Sequence, residues 1–366
     1  MTINSTKIHI SEKNLIHNMK YLENTFNKKI LAVVKSNAYG HDINLITKTL
    51  FRHGYKYFAV ARLCEAEKII TDPELKNSNI LIFESIGKDF LKPVKENKTF
   101  HMSINAFEEL KEALEYGISP KQIQLKIDFG FGRNGIELND LENLKNYIEK
   151  YNLKFAGIYS HLFSVKYDDG IKIINKFKEI VNFLGKERFE MIHLQNSLMT
   201  EIFGSLDFTT HIRVGELIYG VQSEGTPDKN LKQIFSLKGK IAGIRNLENS
   251  NYLAYNLKSD LKLNKCRFIA KIKIGYGDGF LKINEYTKCL INDREFKISL
   301  ITMDNSFIEV DESVREGDEV IFYPDVSFAR PVLHMSIYEL LTILNSRIER
   351  VLVKYKIFLK YKILFF

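Results

Sequence analysis

The stretch ILAVVKSNAYGHD, residues 30–42, runs five apolar residues straight into a lysine. A strand of a parallel sheet is buried on both faces and reads as a continuous apolar run rather than an alternating one, which is how Ile30–Val34 reads. Lys35 then falls at the C-terminal end of that strand, the end where active sites of barrel enzymes collect. Burial there lowers the pKa of a lysine and makes its free amine a usable nucleophile. The plainer reading is a surface lysine whose stem lies along apolar neighbours, and position alone leaves both open.

Working outward, apolar β-rich runs alternate with helix-period segments up to about residue 225, the pattern of βαβ units and a parallel sheet. Candidate strands are Ile30–Val34, Tyr57–Ala61, Ile80–Phe83, Thr99–Ile104, Gln124–Asp128, Lys154–Tyr159, Met191–Leu194 and Thr209–Arg213. That number suggests a closed (β/α)8 barrel of the TIM type. Leu15, Met19, Leu22 and Phe26 share one helical face behind a Ser11 cap, and Phe107–Tyr116 reads as a helix stopped by Gly117. Past Glu224–Asp228 the helical signal nearly disappears. Arg267–Ile274, Cys289–Ile291, Phe296–Thr302, Phe307–Val310 and Glu319–Tyr323 read as strands of a mainly β domain. The expected α/β chain is thus a barrel over 1–227 followed by a β-domain over 228–366.

Composition agrees with a folded, water-soluble chain. The 366 residues are 45% hydrophobic and 27% charged with only 6 prolines, enough to bury a large core and unlike a disordered chain. A net charge of +8 is modest at this length; it favours anionic small substrates and gives no nucleic-acid signature. Cys64, Cys266 and Cys289 form no C-x-x-C pair, which argues for a reducing compartment, and Lys7, Glu12 and Lys13 interrupt any secretory leader. The cytoplasm is expected. The terminal VLVKYKIFLKYKILFF (351–366) is too short and too often broken by lysine to span a membrane, and reads as a strand or subunit-contact tail.

AVVKSNAYGHD (32–42) closely resembles the pyridoxal-phosphate lysine motif of the alanine racemases, a family with a (β/α)8 barrel followed by a β-domain. LKIDFGFGRNGI (125–136), IYSHL (158–162), HLQNS (193–197), IRVGELIYG (212–220), IGYGDGF (274–280) and ITMDNS (301–306) resemble the later family motifs in order. The resemblance implies that Lys35 bonds pyridoxal 5'-phosphate and is one catalytic base, with Tyr276 the other. Inversion at a planar carbanion needs proton donors on both faces, and two residues supply them without turning the substrate. A phenol is a poor base at neutral pH, so nearby positive charge must favour its phenolate, a role the resemblance gives to His161 and Arg213. Arg213 would also face the pyridine nitrogen, where a guanidinium hands over no proton. Arg133 and the backbone of Met303 would hold the substrate carboxylate. Tyr39, Ser197 and amides near Gly215 and Glu216 would hold the phosphate, with Asn196 orienting the group. Lys126 matches a lysine that some members carry carbamylated. Family analogy makes the enzyme a homodimer in which Tyr276 and Met303 serve the partner's site, supplying D-alanine for peptidoglycan.

Two positions depart from the family pattern: Ser346 stands in YELLTILNSRIER (338–350) where many relatives place a phosphate-binding tyrosine, and Glu216 where an apolar residue is common. The competing readings are a broad-specificity amino-acid racemase and a silent pyridoxal-phosphate carrier; carriers generally lack the β-domain that IGYGDGF and ITMDNS mark. GFGRNG (130–135) formally matches the dinucleotide-binding G-x-G-x-x-G, but the next strand ends in Ser160 and His161 rather than an acid for ribose. The 9 histidines show no H-E-x-x-H spacing, so no metal is expected.

Overall fold

The computed structural model of the chain describes residues 6–85, 87–88, 91–221, 228–263, 267–324, 326 and 332–354. Two compact units emerge: Ile16–Lys232, and Met1–Leu15 together with Gln233–Phe366. Residues 6–15 therefore group with the β unit, whereas the pattern of strands and helices along the chain led to an expected division into 1–227 and 228–366. The reason is pairing. Strand β1 (Lys7–Ser11) lies antiparallel to β10 (Phe235–Asn246) and parallel to β18 (Glu349–Val353), so strands from the first and last described segments share one sheet. The expected boundary near residue 227, Cys266 and the tail beyond residue 354 lie outside the described residues.

In Ile16–Lys232, strands β2 (Lys29–Val33), β3 (Tyr57–Val60), β4 (Asn79–Ile82), β5 (Phe100–Ile104), β6 (Ile123–Lys126), β7 (Phe155–Tyr159), β8 (Phe189–His193) and β9 (His211–Val214) form one parallel sheet. Its order is β8-β7-β6-β5-β4-β3-β2-β9. Thr210 N–H donates to the Ile192 carbonyl (2.8 Å) and Arg213 N–H to that of Gln195 (3.2 Å), closing the seam between β9 and β8. All eight expected strands are present. Leu31, Val33, Ala59, Leu81, Tyr159 and Met191 come from five strands of the circle yet form one cluster, which side chains achieve only by pointing inward. Around the sheet, helices bury their apolar faces: Leu15, Met19 and Leu22 of Glu12–Phe26 are buried, and Ser11 Oγ accepts the Asn14 N–H (3.1 Å) as the expected cap.

The β unit is a sheet in the order β13-β16-β15-β14-β17-β10-β1-β18, where β13 is Phe268–Ile272, β14 Lys288–Ile291, β15 Arg294–Ile301, β16 Ser306–Val310 and β17 Glu319–Phe322. β10 pairs with β17 up to Lys240 and with β13 from Ile241, bending at an irregular step between Ile241 and Gly243. That switch curls the sheet closed. β11 (Tyr252–Leu253) and β12 (Asn256–Leu257) form a separate hairpin. The twelve-residue β10 and the helix Ile337–Thr342 were absent from the sequence expectation, the former because Gly239 and Gly243 break its β pattern.

Candidate active site

The barrel site grows from the loops after the strands. Beyond β2 the backbone does something uncommon: Ser36, Asn37, Ala38 and Tyr39 all have φ between 53° and 55°, one turn of left-handed helix that ends at Gly40 (φ 86°). Four non-glycine residues in that region cost about 1–2 kcal/mol each, so the surroundings must hold them. They do: Glu65 accepts the Ser36 N–H (2.6 Å), and Asn37 Oδ1 accepts the Ile43 N–H (3.1 Å) and the Lys68 ammonium (3.2 Å). The turn carries Lys35 at its start and Tyr39 at its end. Burial first, and then the charge of Arg133, lower the pKa of Lys35, while Glu65 and Glu216 oppose the shift.

Tyr39 reaches Gly215, just past β9. A Cβ on Gly215 would sit 2.5 Å from the Tyr39 hydroxyl, so only glycine permits that approach. Ser197 Oγ accepts the Gly215 N–H (3.0 Å), which leaves the hydroxyl hydrogen to donate elsewhere. Glu216 follows as the first residue of the short helix Glu216–Tyr219 and is close enough to raise the pKa of Tyr39 further, after burial. Tyr39 and Ser197 thus place two hydroxyl groups around Gly215 in a cradle with a carboxylate at its margin.

Arg213, on β9, is buried among acceptors. Nη1 donates to His193 Nδ1 (2.8 Å) and to the His193 carbonyl (3.2 Å), and Nη2 donates to the carbonyls of Ser160 (2.8 Å) and Leu194 (3.1 Å). Among the described residues its Nε has no partner. Burial pushes its pKa down to about 10, so it keeps its charge at neutral pH. His193 Nε2 lies 2.7 Å from Gln124 Oε1, an acceptor, which fixes the ring proton on Nε2 and frees Nδ1 to accept from Arg213. His161 lies 3.4 Å from Arg213 Nη2 through Nδ1 and 3.2 Å from Asn196 Nδ2 through Nε2. A neutral imidazole accepts at one nitrogen only. Burial, then Arg213, Arg133, Lys126 and Lys35, push its pKa down to about 3, so it is uncharged at neutral pH.

Arg133 projects from the loop after β6. Asp128 Oδ1 accepts the N–H groups of Gly130 (3.0 Å), Phe131 (2.9 Å) and Gly132 (3.1 Å), and Oδ2 that of Arg133 (2.9 Å). An isolated bridge between Ile127 and Ile136 closes the loop at its base, and the Arg133 guanidinium stacks 4.6 Å over the Phe131 ring. The glycines of GFGRNG therefore serve a carboxylate-filled loop, and the next α-helix begins only at Leu141, which removes the dinucleotide reading. Lys126, at the end of β6, is buried, and its ammonium makes no hydrogen bond to the described residues, while its carbonyl accepts the Ile136 N–H (2.7 Å). Burial, then Arg133 and Arg213, bring its pKa down to about 8.

In the β unit, Tyr276 and Met303 come together. Tyr276 N–H donates to the Thr302 carbonyl (3.0 Å) and Gly277 N–H to that of Met303 (2.8 Å). Both side chains are exposed, and a Cβ on Gly275 would meet Thr302 O at 2.2 Å, so the motif glycines let the two turns touch. Ser346 is exposed beside Arg347. Sequence reading missed His193, Gln124, Asp128, Glu65 and Arg347. HLQNS carried His193 in plain view, but only the structure joins it to Arg213.

A closed barrel with a desolvated lysine at its rim, joined in one chain to a β unit presenting a phenol, is the arrangement of a two-unit barrel enzyme. The model of the alanine racemase N-terminal domain matches residues 10–223, and that of the C-terminal domain residues 234–352. The alanine racemase of Fusobacterium nucleatum is 31% identical over 366 residues, covering 95% of this chain and 99% of its own. That of Campylobacter jejuni is 26% identical over 350 residues, covering 94% and 99%. A solved alanine racemase from Bacillus anthracis, with L-Ala-P bound, shares the fold at a TM-score of 0.81, with 24% identity and 96% of each chain covered. The chain belongs to the alanine racemase family, whose members depend on pyridoxal phosphate.

Proposed function

We propose that this chain interconverts L-alanine and D-alanine with pyridoxal 5'-phosphate as cofactor, in a homodimer, and so supplies D-alanine for peptidoglycan. The observation that carries the reading is the Nε of Arg213, unpartnered among the described residues, in a site that also holds Lys35 and the Tyr39–Ser197–Gly215 cradle. The residues present fit the cofactor: a hydroxyl and amide cradle for a phosphate, an N–H for a pyridine nitrogen, and an amine of lowered pKa for an aldehyde. Asn196 and His161 flank Arg213, and the amide of Glu216 extends the cradle. When bound, the cofactor makes the Cα–H of an attached amino acid acidic enough to transfer.

In this reading Lys35 removes or returns the proton on the D face and Tyr276, from a second copy of the chain, does so on the L face. Arg133 and the backbone of Met303 hold the substrate carboxylate; a guanidinium and a carboxylate form a two-pronged pair. Arg213 keeps its charge and gives no proton to the pyridine nitrogen, which limits the cofactor's electron withdrawal and disfavours transamination. Two free thiols among the described residues, Cys64 and Cys289, agree with a cytoplasmic location, and no helix of the described residues is long and apolar enough to cross a membrane.

Purified protein loaded with the cofactor should racemise each alanine enantiomer and exchange its Cα proton with deuterium from solvent. Cofactor binding without exchange from either enantiomer would replace this reading with that of a carrier. Equal turnover of serine or bulkier amino acids would make it a broad-specificity racemase.

A further inference from the structure

Tyr276 lies on a single 3-10 turn, Tyr276–Asp278, just past β13, and Met303 on the bend between β15 and β16. Two backbone hydrogen bonds join these turns, and neither involves a side chain. The side chain that joins them is Arg347. Its Nε lies 3.1 Å from Asp278 Oδ1 and its Nη2 2.7 Å from Asp304 Oδ1. Asp278 is only 6% exposed, and its other oxygen accepts the Gly275 N–H at 2.9 Å. The guanidinium packs on the turn itself: a Cβ on Gly277 would stand 2.7 Å from Arg347 Nη1. Asn345, two residues earlier, donates from Nδ2 to the Gly277 carbonyl (2.8 Å) and from its N–H to the Asp278 carbonyl (3.1 Å).

We propose that Arg347 is a positioning residue that clamps the Tyr276 and Met303 turns together through Asp278 and Asp304. The inference rests on the reading in which Tyr276 transfers the proton of L-alanine. An exposed ion pair alone contributes little, but Asp278 is buried, and a buried carboxylate left without its cation forces its surroundings to move. The segment that moves is the one carrying the phenol. Misplacing a reacting group by about 1 Å lowers turnover by up to ~100-fold. Lys35, on the barrel, is untouched by this clamp.

The test compares holoenzymes of Arg347→Met, Arg347→Lys and Tyr276→Phe, measuring cofactor absorbance, kcat and KM in both directions, and Cα deuterium exchange from each enantiomer. Arg347→Met should keep the cofactor absorbance and the exchange from D-alanine, while racemisation and exchange from L-alanine fall by about tenfold to 100-fold. Arg347→Lys, which reaches one carboxylate at a time, should recover part of the loss. Equal losses from both enantiomers, or no loss where Tyr276→Phe abolishes L-exchange, would overturn the clamp alone. Normal L-exchange in Tyr276→Phe would instead remove the proton-transfer reading, and the clamp's purpose with it. If Arg347→Met does not fold, Asp304→Asn cuts one limb of the clamp and should give the same one-sided pattern; symmetric exchange there counts against the inference.

Discussion

Replacing Asp128 with asparagine changes a single oxygen and should loosen the whole loop that presents Arg133. In the native chain four backbone N–H groups converge on that carboxylate at 2.9–3.1 Å, three on Oδ1 and one on Oδ2. A hydrogen bond to a charged acceptor contributes about 1.5–3 kcal/mol and a neutral one about 0.5–1.5. In Asp128→Asn the three bonds to Oδ1 become neutral, and the amide nitrogen faces the Arg133 N–H, donor against donor. Water can replace part of the loss in a loop this exposed, leaving an expected cost of about 2–3 kcal/mol, or ~30- to 150-fold in an equilibrium. Since Arg133 is proposed to hold the carboxylate of bound alanine, most of this should appear as a raised KM with a smaller change in kcat, read from steady-state racemisation in both directions. A KM within about threefold of wild type, alongside a large rise for Arg133→Ala, would show that the loop does not need the carboxylate. The pH response gives an independent check. Burial raises the pKa of Asp128, but the four N–H groups outweigh it and the net shift is downward from 3.8. The stabilisation is therefore complete above the ordinary carboxylate pKa and is lost as pH falls through the lower folded value; Asp128→Asn should lack that acid-side loss.

Lys35→Ala should abolish the visible absorbance of bound cofactor together with exchange from both enantiomers; an unchanged spectrum would count against Lys35 as the cofactor lysine. Arg213→Lys places one ammonium where two guanidinium nitrogens serve His193, Ser160 and Leu194, so stranded acceptors should cost about 2–4 kcal/mol in urea unfolding. Gly275→Ala would set a methyl 2.2 Å from the Thr302 carbonyl, and the forced shift of the Tyr276 turn should lower kcat by ~100-fold while cofactor absorbance survives. Lys126 has a folded pKa near 8, so between there and 10.5 the unfolded chain binds more protons and stability rises with pH. In the apoprotein, Lys126→Met should be the more stable chain at pH 7, and the gap should shrink as pH climbs through that window.

The eight barrel strands and β13 to β17 of the β unit were legible because each is a short apolar or β-branched run set off by turn residues. What could not be read was the inward and outward sense of residues along the barrel strands. Both faces are buried there, so Gln124 and Ser103 sit among apolar neighbours without any alternation to expose them. The N-terminal strand went unread for a different reason: nothing local to Lys7–Ser11 reveals that its partners are Phe235–Lys238 and Glu349–Val353. Sheet pairing over such separations is a property of the folded chain.

The chemistry divides in the same way. Motifs fixed which side chains are present: a lysine ending an apolar strand, an arginine in a glycine-rich loop, a histidine and an arginine two strands apart, a tyrosine among glycines. Their states depend on the fold. The amine of Lys35 is easier to deprotonate because tertiary packing strips its water and brings Arg133 near, and His161 is neutral because burial and four cations surround it. Arg213 offers Nε because the His193 ring, held by Gln124 from another strand, joins three backbone carbonyls in occupying its other nitrogens. Residue identity is written locally along the chain; proton affinity and hydrogen-bond direction come from distances between segments far apart in it.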